Sequence, residues 1–204
     1  MRSLQGPVGV RLVRGQEVEI ERDRVRLRRV STPDLTPAEI AAIRDVLVAA
    51  FGPDEDDRFT DHDWEHAIGG LHVVLNLDDE IVAHAAVVER ELHVDGRPLR
   101  TGYVEAVATA PDRQGIGLGS LLMADVTSYV RETFELGALG TGRHRFYERL
   151  GWLRWAGPSF VRTADGVQPT PEDDGYILVL PTPSSPPLDR RGSISCDWRP
   201  GDVW

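Results

Sequence analysis

The stretch from Gly102 to Met123, GYVEAVATAPDRQGIGLGSLLM, constrains this chain more than any other. Gly102–Ala110 is mostly apolar and carries β-branched residues, which predicts a buried strand. Pro111, Asp112 and Arg113 break it. Gln114-Gly115-Ile116-Gly117-Leu118-Gly119 is a glycine-rich loop, and Ser120 is expected to open an apolar helix through Leu121, Leu122, Val126 and Val130. A strand, a glycine loop and a helix N-terminus in that order form a cradle for a pyrophosphate. The glycines let backbone N–H groups approach closely, and the helix dipole favours negative charge.

Two common nucleotide loops are excluded. A P-loop ends in Gly-Lys-Ser/Thr, and this chain has no lysine: all 23 of its basic residues are arginine. A dinucleotide fingerprint needs G-x-G-x-x-G inside a βαβ unit. Gly115, Gly117 and Gly119 have the wrong third spacing. The preceding segments, 71–77, 81–92 and 98–110, follow one another across short polar turns (Asp78-Asp79-Glu80 and Asp95-Gly96), so they predict consecutive antiparallel hairpins. What remains is Gln114-x-x-Gly117-x-Gly119 directly after a strand, in an α/β chain with a mixed, mainly antiparallel sheet.

At 204 residues the chain is long enough for one sizeable core. Residues 1–23 are polar without a clear period and are expected to be an extension, partly disordered. Residues 24–180 carry the domain. Residues 24–30 alternate as a strand. Thr36-Pro37-Ala38-Glu39 is a capping box with proline at the first helical position, opening a helix with Ile40, Ile43, Leu47, Ala50 and Phe51 on one face. Gly52-Pro53 ends it. After the acidic run 54–57, Thr60 or Asp61 caps a short helix with Trp64, Ala67 and Ile68 inward. Beyond the loop and its helix, 134–139 predicts a strand, 143–150 a helix, and 152–161 and 176–180 closing strands. Residues 181–187 form a proline-serine linker. The tail, 181–204, ends Cys-Asp-Trp-Arg-Pro-Gly-Asp-Val-Trp. A disordered tail lacks aromatics, so its two tryptophans predict a tail that docks.

Net charge is −10, which disfavours nucleic acid and suits a cationic substrate. No window approaches the ~18 apolar residues of a membrane span. The N-terminus lacks a signal-peptide apolar region, so the expected location is the cytoplasm. The single Cys196, in a late tail without a neighbouring histidine, is expected to be inert. His62 and His66 are spaced i, i+4 but lack a third ligand, which predicts a helix surface and no metal. His84, in an apolar strand, is expected to be a satisfied core histidine.

The loop and a set of further motifs resemble the aminoglycoside 2′-N-acetyltransferase family of the GNAT superfamily. These motifs are Asp63-Trp64-Glu65-His66, Gly69-Gly70-Leu71-His72, Ala83-His84-Ala85-Ala86-Val87, Gly102-Tyr103-Val104-Glu105, Leu136-Gly137-Ala138-Leu139, Tyr147-x-x-x-Gly151-Trp152, Asp173-Asp174-Gly175 and the nine-residue C-terminal stretch from Cys196. The resemblance covers roughly Val25–Trp204. It implies a GNAT fold, acetyl-CoA as co-substrate without metal, transfer of its acetyl group to the 2′-amine of an aminoglycoside antibiotic, and a homodimer.

Acetyl transfer to an amine requires deprotonation of the amine, a held and polarised thioester carbonyl, and a proton for the departing thiolate. Glu105 lies mid-strand between apolar residues, just before the loop. It is either a charge at a sheet edge or bonded to an arginine, or a substrate contact and general base acting through water. The resemblance implies the second. It also implies that Val107, Ala108 and Thr109 offer backbone to the pantetheine arm, where two strands splay beside a bulge. Gln114, Gly115, Ile116, Gly117, Leu118, Gly119 and Ser120 would take the pyrophosphate. Tyr147 is either a core tyrosine or the general acid. The implied acceptor contacts are Asp56 or Asp57, Glu105, Ala106, Gly140 through its backbone, Asp173, Asp202 and the Trp204 carboxylate. Two other readings remain open on these residues: acetylation of a cellular amino sugar such as a mycothiol precursor, and a non-catalytic module that binds acetyl-CoA or antibiotic.

Overall fold

The computed structural model describes residues 22–52 and 58–204. Two hairpins organise it. Strands β2 (Leu71–Leu77), β3 (Glu80–Val94) and β4 (Arg97–Thr109) run antiparallel in succession, within two residues of the expected bounds. Asp78 (φ 51°) and Asp79 (φ 66°) form one turn, Asp95 (φ 49°) and Gly96 (φ 77°) the other. Paired positive φ values give a turn whose twist matches that of the strands.

Strand β1 (Val25–Ser31) pairs antiparallel with β2. Helix α1 (Pro37–Phe51) starts at the expected capping box: the Thr36 side chain accepts from the Glu39 N–H, and Glu39 reaches back to the Thr36 N–H. It buries Ile43, Val46 and Leu47, whereas Phe51 is 42% exposed and stacks on Phe59 at 5.8 Å. Helix α2 (Asp61–Ala67) repeats the box with Thr60 and Asp63 and buries Trp64 and Ala67. Ile68, expected inward, is 47% exposed, because as C-cap its extended backbone (ψ 145°) leaves the helical face.

Helix α3 (Leu118–Thr133) begins at Leu118, not at Ser120 as expected. Gly117 is its N-cap at φ 92°, so Gly119 and Ser120 lie in the first turn. The helix packs across β2, β3 and β4 with Leu122, Met123, Val126 and Val130 inward. Strand β5 (Leu136–Gly140) lies parallel to β4, and α4 (His144–Glu148) follows. The strand expected over 152–161 is two strands, β6 (Leu153–Arg154) and β7 (Ser159–Thr163). They part at Gly157, which sits so close to the chain at 191–192 that a Cβ would lie 1.9 Å from the Gly192 oxygen. Strand β8 (Gly166–Pro169) completes a hairpin with β7 that the sequence did not suggest.

Strand β9 (Ile177–Pro181) lies between β5 and β6. The expected linker is tied down, since Thr182 Oγ1 donates to the Phe134 carbonyl at 2.8 Å. The tail then supplies β10 (Ile194–Asp197), antiparallel to β3 and parallel to β7. The sheet runs β6-β9-β5-β4-β3-β10-β7-β8, with β2 and β1 attached along the other half of β3. One core cluster lies under α3, a second under α1 and α2, and a third holds Tyr103, Trp155, Cys196 and Trp204. The extension expected over 1–23, apart from its last two residues, and the acidic run 54–57 lie outside the described residues.

Candidate active site

Strand β4 is irregular where the motifs converge. Ala86 faces Glu105 and His84 faces Ala108, so Ala85 is opposed by two residues, Ala106 and Val107. This is a β-bulge, with Ala106 at φ 50°. It shifts the phase of the strand. Val104 and Val107 both pack on the α3 side, while Ala106 and Ala108 pack on the α1–α2 side. The parallel pairing of β4 with β5 covers only Thr101–Tyr103. Beyond it β4 runs on to Thr109 and β5 ends at Gly140, so the strands part at the end from which the glycine loop leaves.

The loop turns tightly on its glycines. Gly115 and Gly117 adopt φ 79° and 92°. Gln114 Nε2 donates to the Thr109 carbonyl at 3.0 Å, fastening the loop to β4. A Cβ on Gly119 would lie 3.1 Å from Thr109 Oγ1 and 3.6 Å from the Phe146 ring. The first-turn N–H groups of a helix have no intrahelical acceptor, so those of Leu118, Gly119 and Ser120 are free to meet phosphate oxygens.

Glu105 is 14% exposed and paired with Arg199, itself 16% exposed, whose Nη1 donates to Oε1 at 2.6 Å. Arg199 Nε donates to the Asp202 carbonyl at 2.7 Å, so one guanidinium joins the strand to the tail. Arg199 and Arg90 both approach the Tyr103 ring, at 5.5 and 4.6 Å. Burial pushes the Glu105 carboxyl above its ordinary value, opposed by the charges of Arg199 and Arg90. The arginine pairing raised as one reading of Glu105 is therefore present, and the carboxylate still lies one residue before the bulge. The partner, 94 positions away, has no local signal in the sequence.

Tyr147 on α4 is 7% exposed, edge-on to Phe146 (4.9 Å) and Trp152 (6.4 Å). Burial holds its phenol above the ordinary range, so it is protonated at neutral pH. Gly140 abuts the Trp204 main chain: a Cβ there would lie 3.2 Å from the Trp204 carbonyl carbon and 3.6 Å from the Tyr103 hydroxyl. The Trp204 indole donates to Thr170 Oγ1 at 3.1 Å. Asp173 is half-buried and its carboxyl is pushed up, first by burial and then by Glu172, with Asp202 adding to it. Asp174 accepts from the Ser159 N–H and hydroxyl at 2.8 Å. Asp56 and Asp57 lie outside the described residues.

His66 Nε2 is 2.7 Å from the Pro200 carbonyl, so the His62–His66 face meets the tail. Among the described residues no group of three or more His, Cys, Asp or Glu side chains is arranged to hold a metal. Cys196 is buried and its thiol donates to the Val203 carbonyl at 3.3 Å. A surface cleft between α3 and residues 183–184 includes none of Glu105, Tyr147 and the glycine loop. No helix among the described residues is long and apolar enough to cross a membrane.

A bulged strand, a splayed parallel pair and a glycine loop at a helix start define an acyltransferase of the GNAT class. Residues 32–154 match the family model described as "Acetyltransferase (GNAT) domain". The chain is 43% identical over 182 residues to an aminoglycoside 2'-N-acetyltransferase of Mycolicibacterium fortuitum, covering 87% of this chain and 91% of that protein. It belongs to the aminoglycoside 2′-N-acetyltransferase family of the GNAT superfamily. Among solved structures, a GNAT family acetyltransferase from Brucella melitensis in complex with acetyl-CoA superposes with TM-score 0.55 at 20% identity, covering 83% of this chain and 94% of that one. A GCN5-related N-acetyltransferase from Kribbella flavida gives TM-score 0.53 at 25% identity over 68% of this chain, which spans only 36% of that longer protein.

Proposed function

We propose that this chain transfers the acetyl group of acetyl-CoA to the 2′-amino group of aminoglycoside antibiotics, inactivating them. The observation that carries the reading is the 43% identity to the M. fortuitum aminoglycoside 2'-N-acetyltransferase across nearly its whole length. The geometry supports it. The loop from Gln114 to Ser120 offers main-chain donors for a pyrophosphate. The Val107–Thr109 backbone lines the gap between β4 and β5 and takes the pantetheine arm and thioester. Glu105, Ala106, Gly140, Asp173, Asp202 and Trp204 make the acceptor wall, and the reading adds Asp56 or Asp57 as an acceptor contact. The net charge of −10 steers a polycation toward that wall.

Glu105 accepts a proton from the acceptor amine, directly or through water. The amine nitrogen attacks the thioester carbonyl, so a C–N bond forms as the C–S bond breaks, and the proton the nitrogen sheds on becoming an amide passes to water. Tyr147 delivers its phenolic proton to the departing sulfur and is reprotonated from solvent. The Arg199 charge opposes the upward push of burial on the Glu105 carboxyl and so favours the anion that accepts the proton. The reading includes a homodimer, as the family resemblance implies, which light scattering tests.

Thiol release from acetyl-CoA, compared with kanamycin B and kanamycin A, tests the reaction. The two antibiotics carry an amine and a hydroxyl at the 2′ position. Turnover with kanamycin B alone is expected. Equal turnover with both moves the reaction to another amine, and none with either favours a cellular amino sugar or a binding module.

A further inference from the structure

His72 and His84 lie inside the sheet, and the reaction above does not use them. Both are fully buried beneath the Trp64 ring, 5.8 and 6.3 Å away. Imidazoles in an apolar layer are costly unless their nitrogens are bonded. Here every nitrogen has a partner. His84 Nδ1 lies 2.8 Å from the Ala106 carbonyl oxygen, His84 Nε2 lies 2.9 Å from His72 Nδ1, and His72 Nε2 lies 2.8 Å from Thr32 Oγ1. The Gly69 N–H donates to Thr32 Oγ1 at 2.9 Å.

The last acceptor fixes the direction of the chain. A carbonyl only accepts, so His84 carries its proton on Nδ1. Its Nε2 then accepts from the His72 Nδ1–H, and His72 Nε2 accepts from the Thr32 hydroxyl. Burial lowers both imidazoles, His72 to about 4 and His84 to about 3, with the neighbouring His72 adding to the shift of His84. The pair is neutral at physiological pH and the chain keeps one direction.

The chain ends on a strained residue. Ala106 is the only residue within a strand, among those described, whose φ is positive without being glycine. A Cβ disfavours that conformation, which persists where the surroundings over-determine it. Ala106 is also the residue at which β4 changes phase between Glu105 and Val107. Without the bulge, strict alternation would turn one of the two to the opposite face.

We infer that His84, backed by His72, is a positioning pair that holds the Ala106 bulge and thereby fixes Glu105 relative to the Val107–Thr109 main chain. This rests on the acetyl-transfer reading above. The two amide replacements separate positioning from packing. Asparagine puts its amide nitrogen, a donor, where Nδ1 stands, and glutamine can put its amide oxygen, an acceptor, where Nε2 stands. His84→Asn keeps the donor to Ala106 and gives up His72, while His84→Gln does the reverse.

The test measures kcat with kanamycin B, acetyl-CoA affinity by calorimetry and Tm for both variants. Expected is a roughly 10–100-fold loss of kcat and about tenfold weaker acetyl-CoA binding in His84→Gln. His84→Asn stays within about threefold on both readouts, even where its Tm falls as far. Losses that are equal in the two variants and track Tm, no loss in His84→Gln, or failure of both to fold overturns the positioning role. If the unsubstituted chain gives no turnover, the acetyl-transfer reading fails separately, and acetyl-CoA affinity still discriminates between the two variants.

Discussion

The two walls of the proposed site are built in opposite ways. The cofactor wall, Val107 to Ser120, is one continuous stretch that acts through its main chain. The acceptor wall gathers side chains and chain ends scattered from Glu105 to Trp204, joined by the Arg199 guanidinium and by the insertion of β10 beside β3. A main-chain site depends on conformation, which glycines at Gly115 and Gly117 encode locally. A side-chain site depends on which distant segments the sheet brings together. The first should therefore fail through backbone strain, and the second through loss of single functional groups.

The largest expected effect falls on the acceptor wall. Glu105→Gln lowers kcat by roughly 10²–10⁴-fold, read as the initial rate of thiol release, because the base is gone while the shape is kept. Tyr147→Phe removes only the donated proton and lowers kcat by about 10²-fold, with both KM values little changed. In the cofactor wall, Gly117→Ala puts a Cβ at φ 92° and costs the loop ~1–2 kcal/mol. Steady-state kinetics should then show KM for acetyl-CoA rising up to about tenfold and KM for the aminoglycoside unmoved. A matching rise in both would break the separation of the walls. The smallest effect is a shift in pH dependence. Burial raises the Glu105 carboxyl and Arg199 opposes it, so Arg199→Gln lets it rise further. The acid-side fall of kcat then moves to higher pH. A shift to lower pH would show that Arg199 does not hold Glu105 anionic.

The cofactor wall was legible in the sequence for the reason that it is local: strand, breaker, glycine loop and helix follow in order, and the hairpins before them are marked by Asp-Asp and Asp-Gly turns. Even there the helix start was misplaced by two residues, because Gly117 caps α3 in a left-handed conformation that a side-chain cap does not announce. In the acceptor wall the sequence marked Glu105 as a charge in an apolar strand and marked the tail as one that docks. It gave no sign of Arg199 as the partner, of β10 as a sheet strand, or of the β7–β8 hairpin, since each depends on pairing across long separations. His84 was legible as a satisfied core histidine. Its bonds to His72 and Ala106 were not, because they depend on the register of β2, β3 and β4.

The independence of the two walls is tested most directly by titrating acetyl-CoA calorimetrically into Glu105→Gln protein. The account predicts an affinity within about twofold of the unsubstituted chain, in a protein whose turnover with kanamycin B is lost. Loss of acetyl-CoA binding together with turnover would contradict it, and would make Glu105 a structural part of the cofactor wall.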